Sequence, residues 1–576
     1  MALIGIDLGT TYSLVSCWRD GEPLVIPNEL GDMLTPSAVS LDHDGSLLVG
    51  AAALDRLITH PDASTSQFKR LMGQKNPVKL RCRESGGKRV HKRTFRPEEL
   101  SSILLKSLKA DAESFLGEPV EDVIISVPAY FNDAQRKMTN FAGKLAGLNV
   151  KRLINEPTAA AIAYGLPNLE RELTFLVLDL GGGTFDISVL ELFDSTMEVH
   201  ATSGDAFLGG IDFTKCIYRD ILEASGLRGD KLSNAEKNVI SKRAEGIKLA
   251  LSERSQIETS LHIGKKVFDY TLTQERFEEL AAPLLKKIRR PIERAVHDSR
   301  LSPGEIDSIV LVGGATRMPM FRKLITRMFG KFPTFDHDPD MIVAKGAAIQ
   351  HALSQRHSSI EELVLTDICP YTMGVATSEL LDASTYVDGR FTPIIERNST
   401  VPVSREEVFW TIQDNQPVIS IEVYQGESRF VANNLKLGSL EVPVPKKRAG
   451  EQSITVRFTY NVNGILEVET KVIGTGDVKR LILEESPGNL SKEEIEKSLK
   501  DLAHLKIHPK NSARNRAVMA KLERLFEESL GEEREAIGFI MHQFERILAT
   551  QDLKQIEEQR VEIEAFIDEF EKNWGI

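Results

Sequence analysis

Cysteine is scarce in this chain of 576 residues, and the four cysteines lie far apart. Cys17, Cys82, Cys216 and Cys369 form no CxxC pair, so the spacing fits neither a disulfide framework nor a zinc site. We therefore expect reduced thiols that pack inside folded domains.

Long apolar runs and a basic excess are also missing. No stretch reaches the roughly 18 apolar residues that a membrane span needs, and the opening MALIGIDLGTT begins a strand pattern without the features of a signal peptide. The net charge of −12 argues against a nucleic-acid partner, because such binding requires a basic face. The sequence predicts a cytoplasmic protein that binds neither membranes nor nucleic acid.

Two glycine-rich segments repeat one pattern in the first 360 residues. Residues 4–15 read IGIDLGTTYSLV and residues 176–190 read LVLDLGGGTFDISVL. Each is an apolar strand, an aspartate, a Gly/Thr-rich turn and a second strand, which predicts a hairpin whose tip allows close backbone approach. Two further pairs of similar segments follow: 123–132 with 308–320, and 155–165 with 338–350. The repeat predicts two similar α/β halves that face a cleft.

The pattern changes in the second part of the chain. Alternating apolar residues such as Ile419 and Ile421, and an Asn463-Gly464 turn, predict antiparallel strands. From Ser491, which forms a capping-box pattern with Glu494, the spacing is helical. The expected organisation is a nucleotide-binding domain at 1–360, a linker at 361–367, a β domain at 368–485 and a short helical lid at 486–576.

The two predicted hairpin tips suit phosphate groups, because backbone N–H groups beside glycine are unobstructed. These tips contain Gly9, Thr10 and Thr11, and Gly181, Gly182, Gly183 and Thr184. Asp7 and Asp179 precede the turns at matching points, and Mg²⁺ prefers one or two carboxylates together with water and phosphate oxygens. One such motif alone is equally typical of a tight turn, but two in register favour a nucleotide site.

Other candidate residues are less distinctive by themselves. Gly313 and Gly314 with Arg317 fit either a nucleotide contact or a plain strand-to-helix turn. Lys69 and Glu156 are single charged residues, whose default interpretation is solvated surface.

Seven motifs in this order resemble the DnaK-type heat-shock chaperones: IDLGTTYS, FKRLMG, VPAYFNDAQR, NEPTAAAIAYG, DLGGGTFD, LGGIDF and LVGGATRMP. The resemblance continues through NSTVPV, DNQPVISIEVYQGE, NGILEV and LSKEEIE, and so covers the whole chain. It implies a multidomain protein with an actin-like α/β ATPase domain of two similar halves around a cleft, an antiparallel β-sandwich that binds peptide, and a helical lid.

The resemblance also implies roles for individual residues. It makes Lys69 the catalytic lysine, and Asp7, Glu156, Asp179 and Thr184 the residues that hold Mg²⁺ and place the attacking water. The implied contacts to ATP or ADP are Gly9, Thr10, Thr11, Tyr12, Gly181, Gly182, Gly183, Glu245, Lys248, Ser252, Gly313, Gly314, Arg317 and Asp340. K⁺ is a further ion that such a site admits.

In the β domain the resemblance implies a pocket for an extended apolar peptide or client protein. Val375, Phe409, Ile419 and Ile421 match that pocket, with Ile412 beside it. Ser378 and Ile412 replace the methionine and alanine that arch over the peptide in DnaK, and residues 379–391 resemble a loop insertion.

The apolar linker residues Leu363, Val364 and Leu365 are expected to dock when ATP is bound, the alternative being an ordinary buried strand end. Arg152, Asn155 and Thr158 match positions near the surface that docks a J-domain co-chaperone, whereas the need for an exchange factor is left open. The short segment at 252–277 and the short helical end resemble the HscC branch of the family.

Three functions compete at this point. The first is an ATP-driven chaperone that binds extended apolar segments. The second is a small-molecule kinase on the same fold, for which residues 361–576 have no evident use. The third is an ATP-gated regulator that binds one dedicated partner.

Overall fold

The computed structural model describes residues 3–84, 90–263, 266–334, 337–357, 363–380, 386–462, 464–484, 500, 506 and 508–574. Its contacts divide the chain into two compact units. The first unit contains the residues up to Tyr371 together with Arg397–Thr400, and the second contains Thr372–Glu396, Val401–Glu484 and the helices that follow. The predicted helix start at Ser491, with Glu494, and position 463 of the predicted turn lie outside the described residues.

The strands of the first unit are β1 (Ile4–Asp7), β2 (Tyr12–Arg19), β3 (Glu22–Ile26), β4 (Thr35–Pro36), β5 (Ala38–Leu41), β6 (Leu47–Val49), β7 (Ser64–Ser66), β8 (Val78–Arg83), β9 (Val90–Phe95), β10 (Asp122–Val127), β11 (Asn149–Asn155), β12 (Leu173–Leu180), β13 (Phe185–Phe193), β14 (Thr196–Asp205), β15 (Gln256–Ile263), β16 (Lys266–Thr273), β17 (Ser308–Val312) and β18 (Val364–Thr366). Its helices are α1 (Ala51–Thr59), α2 (Pro97–Leu116), α3 (Asp133–Leu145), α4 (Glu156–Gly165), α5 (Gly210–Ser225), α6 (Asn234–Ala250), α7 (Gln274–Ser299), α8 (Pro319–Phe329) and α9 (Ile342–Ser354).

Two sheets of matching topology form the centre of the first unit. The first has the order β11-β10-β1-β2-β3, with β4 paired to β2, and the second has the order β17-β12-β13-β14-β18. In each, the strand that leads into the glycine-rich tip pairs antiparallel with the next strand and parallel with a later one. The repeat expected from the sequence is therefore present in the topology.

The helices α4 and α9, one from each copy of the repeat, pack with their backbones in close contact. A Cβ atom at Gly346 would lie 1.8 Å from the carbonyl oxygen of Ala159, and one at Gly5 would lie 2.2 Å from the backbone nitrogen of Ala348. Only small residues permit this approach. The Ala/Gly composition of the two helices thus fixes the distance between the helices and the first sheet.

The apolar linker forms β18, which pairs parallel with β14. The backbone N–H of Val364 donates to the carbonyl of Ser195 at 3.0 Å. Leu363 is 7% exposed and Leu365 is partly buried against the same core, whereas Val364 is 54% exposed. The alternation follows from the twofold period of a strand. The linker is paired here as an added edge strand. That the bound nucleotide controls this pairing stays a prediction.

The second unit contains two sheets and a helical bundle. Its strands are β19 (Met373–Leu380), β20 (Tyr386–Ile395), β21 (Val403–Trp410), β22 (Val418–Gln425), β23 (Leu435–Pro443), β24 (Ser453–Tyr460), β25 (Ile465–Ile473) and β26 (Val478–Glu484). They pair in the orders β20-β19-β22-β23 and β21-β24-β25-β26. Buried Ile454, Val456 and Phe458 alternate along β24, as expected for strands with one face on a core.

The loop conformation predicted at 379–391 is wrong for residues 379–380 and 386–391, which are strand, whereas the predicted insertion stays a prediction. Glu379 pairs with Val387 and Leu380 with Tyr386, so β19 and β20 form an extended antiparallel hairpin. The two strands are held together by their backbone pairing. Ion pairs of Glu379 with Arg390 and Arg429, at 2.8 and 2.9 Å, add to this pairing.

The bundle consists of α10 (Ala513–Glu528), α11 (Gly531–Thr550) and α12 (Leu553–Trp574). Its core includes Leu522, Ile537, Phe544 and Ile563. The helical spacing predicted after Ser491 is confirmed in α10, α11 and α12. Gln551, between α11 and α12, accepts from the backbone N–H of Glu406 at 3.1 Å and donates to its carbonyl at 2.8 Å, which attaches the bundle to the free edge of β21.

Candidate nucleotide and peptide sites

The tips of the two glycine-rich hairpins lie against each other. A Cβ atom at Gly182 would lie 2.0 Å from Oγ1 of Thr11, and one at Gly183 would lie 2.7 Å from Oγ1 of Thr10. A Cβ atom at Gly9 would meet the carbonyl oxygen of Tyr12 at 1.9 Å. Glycine is therefore required by space at these positions, and the sequence prediction of two neighbouring tips is matched by the geometry.

A second glycine pair, Gly209-Gly210, packs against the second tip, and the sequence interpretation did not assign it. The N–H of Gly210 donates to the carbonyl of Gly181 at 2.9 Å, and a Cβ atom at Gly209 would lie 2.5 Å from the backbone nitrogen of Gly183. These residues belong to the LGGIDF motif and begin α5. The close contact holds the start of α5 against the second tip.

Arg70 also supports the second tip and was missed from the sequence. Its guanidinium donates to the carbonyl of Gly183 through Nε at 3.0 Å and Nη2 at 2.9 Å, and it forms an ion pair with Asp212. From the same FKRLMG motif, the sequence interpretation selected Lys69 and not Arg70. Arg70 thereby fixes the carbonyl of one tip from a segment more than a hundred residues away.

Lys69 and Glu156 form a buried ion pair beneath the tips. Lys69 Nζ lies 2.7 Å from Glu156 Oε1, and their side chains are 4% and 7% exposed. Lys69 belongs to a short 3₁₀ segment, Phe68–Leu71, and Glu156 is the first residue of α4. The default interpretation of both as solvated surface residues is wrong, because the fold buries them together.

Carboxylates surround this pair. Burial, followed by repulsion from Glu156, raises the pKa of Asp7 to about 7, although Lys69 and a hydrogen bond from Ser126 at 2.7 Å lower it. Burial, and then the charges of Glu156 and Asp186, raises the pKa of Asp179 well above its usual range. The carboxyl groups of Asp7, Asp179 and Glu156 are thus concentrated in one water-poor region.

Asp186 is a further member of the cluster that the sequence interpretation missed. It lies directly opposite Asp179 across β12 and β13, and burial followed by the charge of Glu156 raises its pKa to about 8. The backbone N–H of Tyr130 donates to Oδ1 at 2.9 Å, while buried Oδ2 has no hydrogen-bond partner among the described residues. The hairpin register of DLGGGTFD could have indicated it, because that register pairs the two aspartates.

Thr184 and the glycine pair Gly313-Gly314 border the carboxylate cluster. The Thr184 carbonyl accepts from the N–H of Gly181 at 3.1 Å, and the side chain is buried. Gly313 has φ +80°, and a Cβ atom there would lie 2.5 Å from the Leu180 carbonyl and 2.8 Å from Asp179 Oδ1. The alternative of a plain turn at Gly313 therefore does not account for its contact with the carboxylate cluster.

Gly314, Arg317 and Asp340 lie together. A Cβ atom at Gly314 would lie 2.8 Å from Oδ1 of Asp340, and Arg317 Nη2 forms ion pairs with Asp338 at 3.0 Å and Asp340 at 2.9 Å. The Arg317, Asp338 and Asp340 side chains are partly exposed. They form a polar border rather than part of the buried cluster.

Three of the expected nucleotide contacts, Glu245, Lys248 and Ser252, lie on or just after α6. Lys248 is buried and donates to Glu245 at 2.8 Å, to the Gly210 carbonyl at 3.2 Å and to Thr214 at 3.1 Å. Burial, then Glu245 and Asp340, raises the pKa of Tyr12. Ser252 lies beyond the end of α6 and donates to the Lys248 carbonyl at 3.4 Å. Lys248 thus links α6 to the start of α5.

One of the residues expected at J-domain docking contacts the linker segment. Asn155 Nδ2 is 3.4 Å from both carboxylate oxygens of Asp367, the residue after β18. Asn155 and Thr158 are buried, and Arg152 is half-buried. Asn155 thus connects this set of residues to the linker segment through its side-chain amide.

The predicted peptide pocket is distributed over both sheets of the second unit. Val375 on β19 pairs with Val423 on β22, and the period of two puts Ile419 and Ile421 on the same face as Val423. Phe409 lies on β21 opposite Ile454. The backbone N–H of Ile412 donates to Gln416 Oε1 at 3.0 Å. Trp410, 58% exposed beside Phe409, was not assigned from the sequence.

Ser378 is held by a polar contact at the expected arch. Its hydroxyl donates to Oδ1 of Asp388 on the partner strand β20 at 2.5 Å. The position expected at the arch thus carries a hydrogen-bonded polar pair.

Comparisons with known proteins address the whole chain. A family model described as "Hsp70 protein" matches residues 3–574. "Chaperone protein dnaK3" from Thermosynechococcus vestitus is 39% identical over 551 residues, which cover 91% of this chain and 78% of that protein. Separately, no helix in the described part of the chain has both the length and the apolar character needed to cross a membrane.

Proposed function

Because this chain belongs to the Hsp70 family of ATP-hydrolysing chaperones, we propose that its first unit binds ATP and ADP with Mg²⁺ at the paired hairpin tips, and that its second unit binds extended apolar peptide. The observation that carries the proposal is the buried Lys69–Glu156 pair among Asp7, Asp179 and Asp186. A kinase is not supported, since the family match includes the C-terminal half.

The carboxylate cluster fits a hard divalent cation. Burial first, and then repulsion from Glu156, raises the pKa values of Asp7 and Asp186, and the ammonium group of Lys69 offsets this only in part, so an added cation would lower the energy of the ionised carboxylates. Asp7, Glu156 and Asp179 would hold Mg²⁺, directly or through water, and K⁺ is a second candidate ion. When bound, Mg²⁺ neutralises charge on the phosphate oxygens.

The side chains and backbone supply the remaining requirements of phosphoryl transfer. The tip glycines carry no side chains of their own, which suits a close approach of phosphate oxygens to the backbone. The ammonium of Lys69, oriented by Glu156, stabilises negative charge that develops on the transferred group. Asp179 and Thr184, at the base of the second tip, are the groups suited to orient the attacking water.

The linker strand provides the proposed route from hydrolysis to peptide release. β18 is added to the same sheet whose β12–β13 tip belongs to the nucleotide site. We infer that ATP stabilises this docked form and that ADP releases it. The inward side chains of Leu363 and Leu365 support the inference, because burying them gives the docked form an apolar contribution.

The peptide site is assigned to Val375, Phe409, Ile412, Ile419 and Ile421. The extended β19–β20 hairpin and the Ser378–Asp388 contact support a client preference that differs from that of DnaK. The second candidate is an ATP-gated regulator with one dedicated partner, and the same hairpin favours it because an added surface can select one client. We further propose that the chain works with a J-domain partner, is located in the cytoplasm and belongs to the HscC branch of the family.

One experiment separates these candidates. Steady-state ATP hydrolysis is measured with no addition, with a set of unrelated unfolded peptides, and with J-domain proteins. Stimulation by many apolar peptides supports a general chaperone, and stimulation by one folded partner alone supports the regulator. No hydrolysis above the level of the Lys69→Ala variant under any condition would contradict both.

A further inference from the structure

Glu191, Glu198 and His200 form a cluster outside the nucleotide site. One ligand atom from each of these side chains lies within 4.8 Å of the others. His200 Nε2 is 2.8 Å from Glu191 Oε2. Glu191 follows Asp186 by five residues on β13, about 17 Å along the strand. The cluster is therefore separate from the carboxylates at the hairpin tips.

The strand register brings the three side chains to one place. Glu191 and Glu198 are directly opposite on the antiparallel pair β13 and β14, and the register shifts between Val189 and Leu190 so that His200 is an extra residue. Such a bulge redirects a side chain and is common next to functional sites. Two hydrogen-bonded strands thus supply all three groups, which gives the cluster a rigid base.

The two neighbouring carboxylates of this cluster favour the binding of a cation. Like charges directly opposite on a β ladder are destabilising, and the imidazole of His200 carries at most one positive charge. A divalent ion would neutralise both carboxylates. The half-buried positions leave room for water at the remaining coordination positions.

We propose that Glu191, Glu198 and His200 form a binding site for a divalent transition-metal ion of the Zn²⁺ class. An imidazole nitrogen with two carboxylate oxygens suits zinc, cobalt or nickel, whereas magnesium and calcium prefer oxygen ligands alone. Zinc bonds of about 2.0 to 2.2 Å place neighbouring ligand atoms about 3.3 Å apart. The 2.8 Å contact of His200 with Glu191 needs to open by only about half an ångström.

The site lies beside the linker strand, which is the route of coupling if the proposed function holds. Glu198 pairs on its other side with Thr366 of the linker strand β18. A bound ion would tie β13 to β14, the strand to which the linker is added.

The test is a titration of the full-length, reduced, nucleotide-free chain with Zn²⁺ in excess Mg²⁺, which saturates the hard-cation site. We expect one equivalent that is lost, or weakened at least tenfold, in His200→Leu and in Glu198→Gln. His262→Leu is the matched control, since His262 is an exposed strand histidine outside the cluster. It should keep the full affinity.

Two further measurements keep the result interpretable. Zn²⁺ should raise the thermal midpoint of the parent chain and of His262→Leu but not of the two site variants, whose circular dichroism spectra without metal should match the parent. Co²⁺ bound at this site should give weak visible bands without a thiolate charge-transfer band. Equal Zn²⁺ affinity in His200→Leu, or a thiolate band, would overturn the proposal and leave these residues as an ion pair only.

Discussion

The ammonium nitrogen of Lys69 lies 2.7 Å from Oε1 of Glu156, although the two residues are 87 positions apart in the chain. Both side chains are almost completely buried. A lysine held in this way cannot serve as a solubilising surface charge. Its position among carboxylates and glycine tips supports the proposal that it stabilises phosphate charge.

Lys69→Ala should retain ATP but hydrolyse it about 100-fold more slowly or worse, because the glycine tips bind the phosphates while the ammonium acts in the transition state. Single-turnover hydrolysis and nucleotide affinity are measured together. The control is Lys79→Ala, which removes an exposed lysine from β8. Unchanged turnover in Lys69→Ala would refute the assignment.

Gly9→Ala should abolish nucleotide binding, because the added Cβ would lie 1.9 Å from the Tyr12 carbonyl and would deform the first tip. Gly246→Ala is the matched control. Gly246 lies inside α6, and no described atom comes within 4 Å of the position that its Cβ would take, so alanine should stabilise the helix by about 1 kcal/mol. Fluorescent-nucleotide titration and thermal unfolding give the two readouts, and retained binding in Gly9→Ala would contradict the tip assignment.

Leu363→Asp combined with Leu365→Asp should prevent ATP from accelerating peptide release, because both side chains face the core when β18 is docked. The expected loss corresponds to a coupling free energy of about 1 to 3 kcal/mol. Val364→Asp is the control, since Val364 points outward on the same strand. Stopped-flow release with and without ATP measures the effect. Normal acceleration in the double variant would reduce the linker to a tether.

Ile419→Phe should weaken peptide binding more than deletion of residues 509–576. Ile419 is buried on the face shared with Ile421, so the larger ring fills the apolar pocket itself. The bundle is attached through Gln551 to the edge of β21, and its removal should change the peptide release rate by less than about tenfold, or about 1.4 kcal/mol. Ser420→Phe, on the exposed face of β22, is the control. The reverse order of effects would refute this view of the lid.

Asp186→Asn should stabilise the nucleotide-free, Mg²⁺-free protein at pH 8 and have little effect at pH 4. The folded pKa of Asp186, about 8, is above the ordinary value of 3.8, so its contribution to stability is fully present below pH 3.8 and is lost as the pH rises through 8. The gain at pH 8 should be on the order of 1 kcal/mol or more. Thermal unfolding across this pH range provides the test, and a difference that does not grow with pH would contradict it.

The sequence by itself determined the local parts of the nucleotide site. The repeated Asp-Gly-Thr pattern predicts both hairpin tips, because glycine is required wherever backbones approach too closely for a Cβ atom, and this requirement is visible in the residue type. The apolar alternation likewise indicated the strands of the second unit, and the helical spacing after Ser491 indicated the helices that the structure describes from residue 513 onward. These features depend on neighbours within a few residues.

Only the tertiary structure decided which distant groups meet. Lys69 with Glu156, Asp186 with the other carboxylates, and Arg70 with the Gly183 carbonyl join segments that no periodicity relates. Residues 379–380 and 386–391, where a loop was predicted, are paired strand, and Glu379 forms ion pairs there with Arg390 and Arg429. Charge pairing and burial are set by the packing of the whole domain, since the cost of burying a charge depends on every group around it.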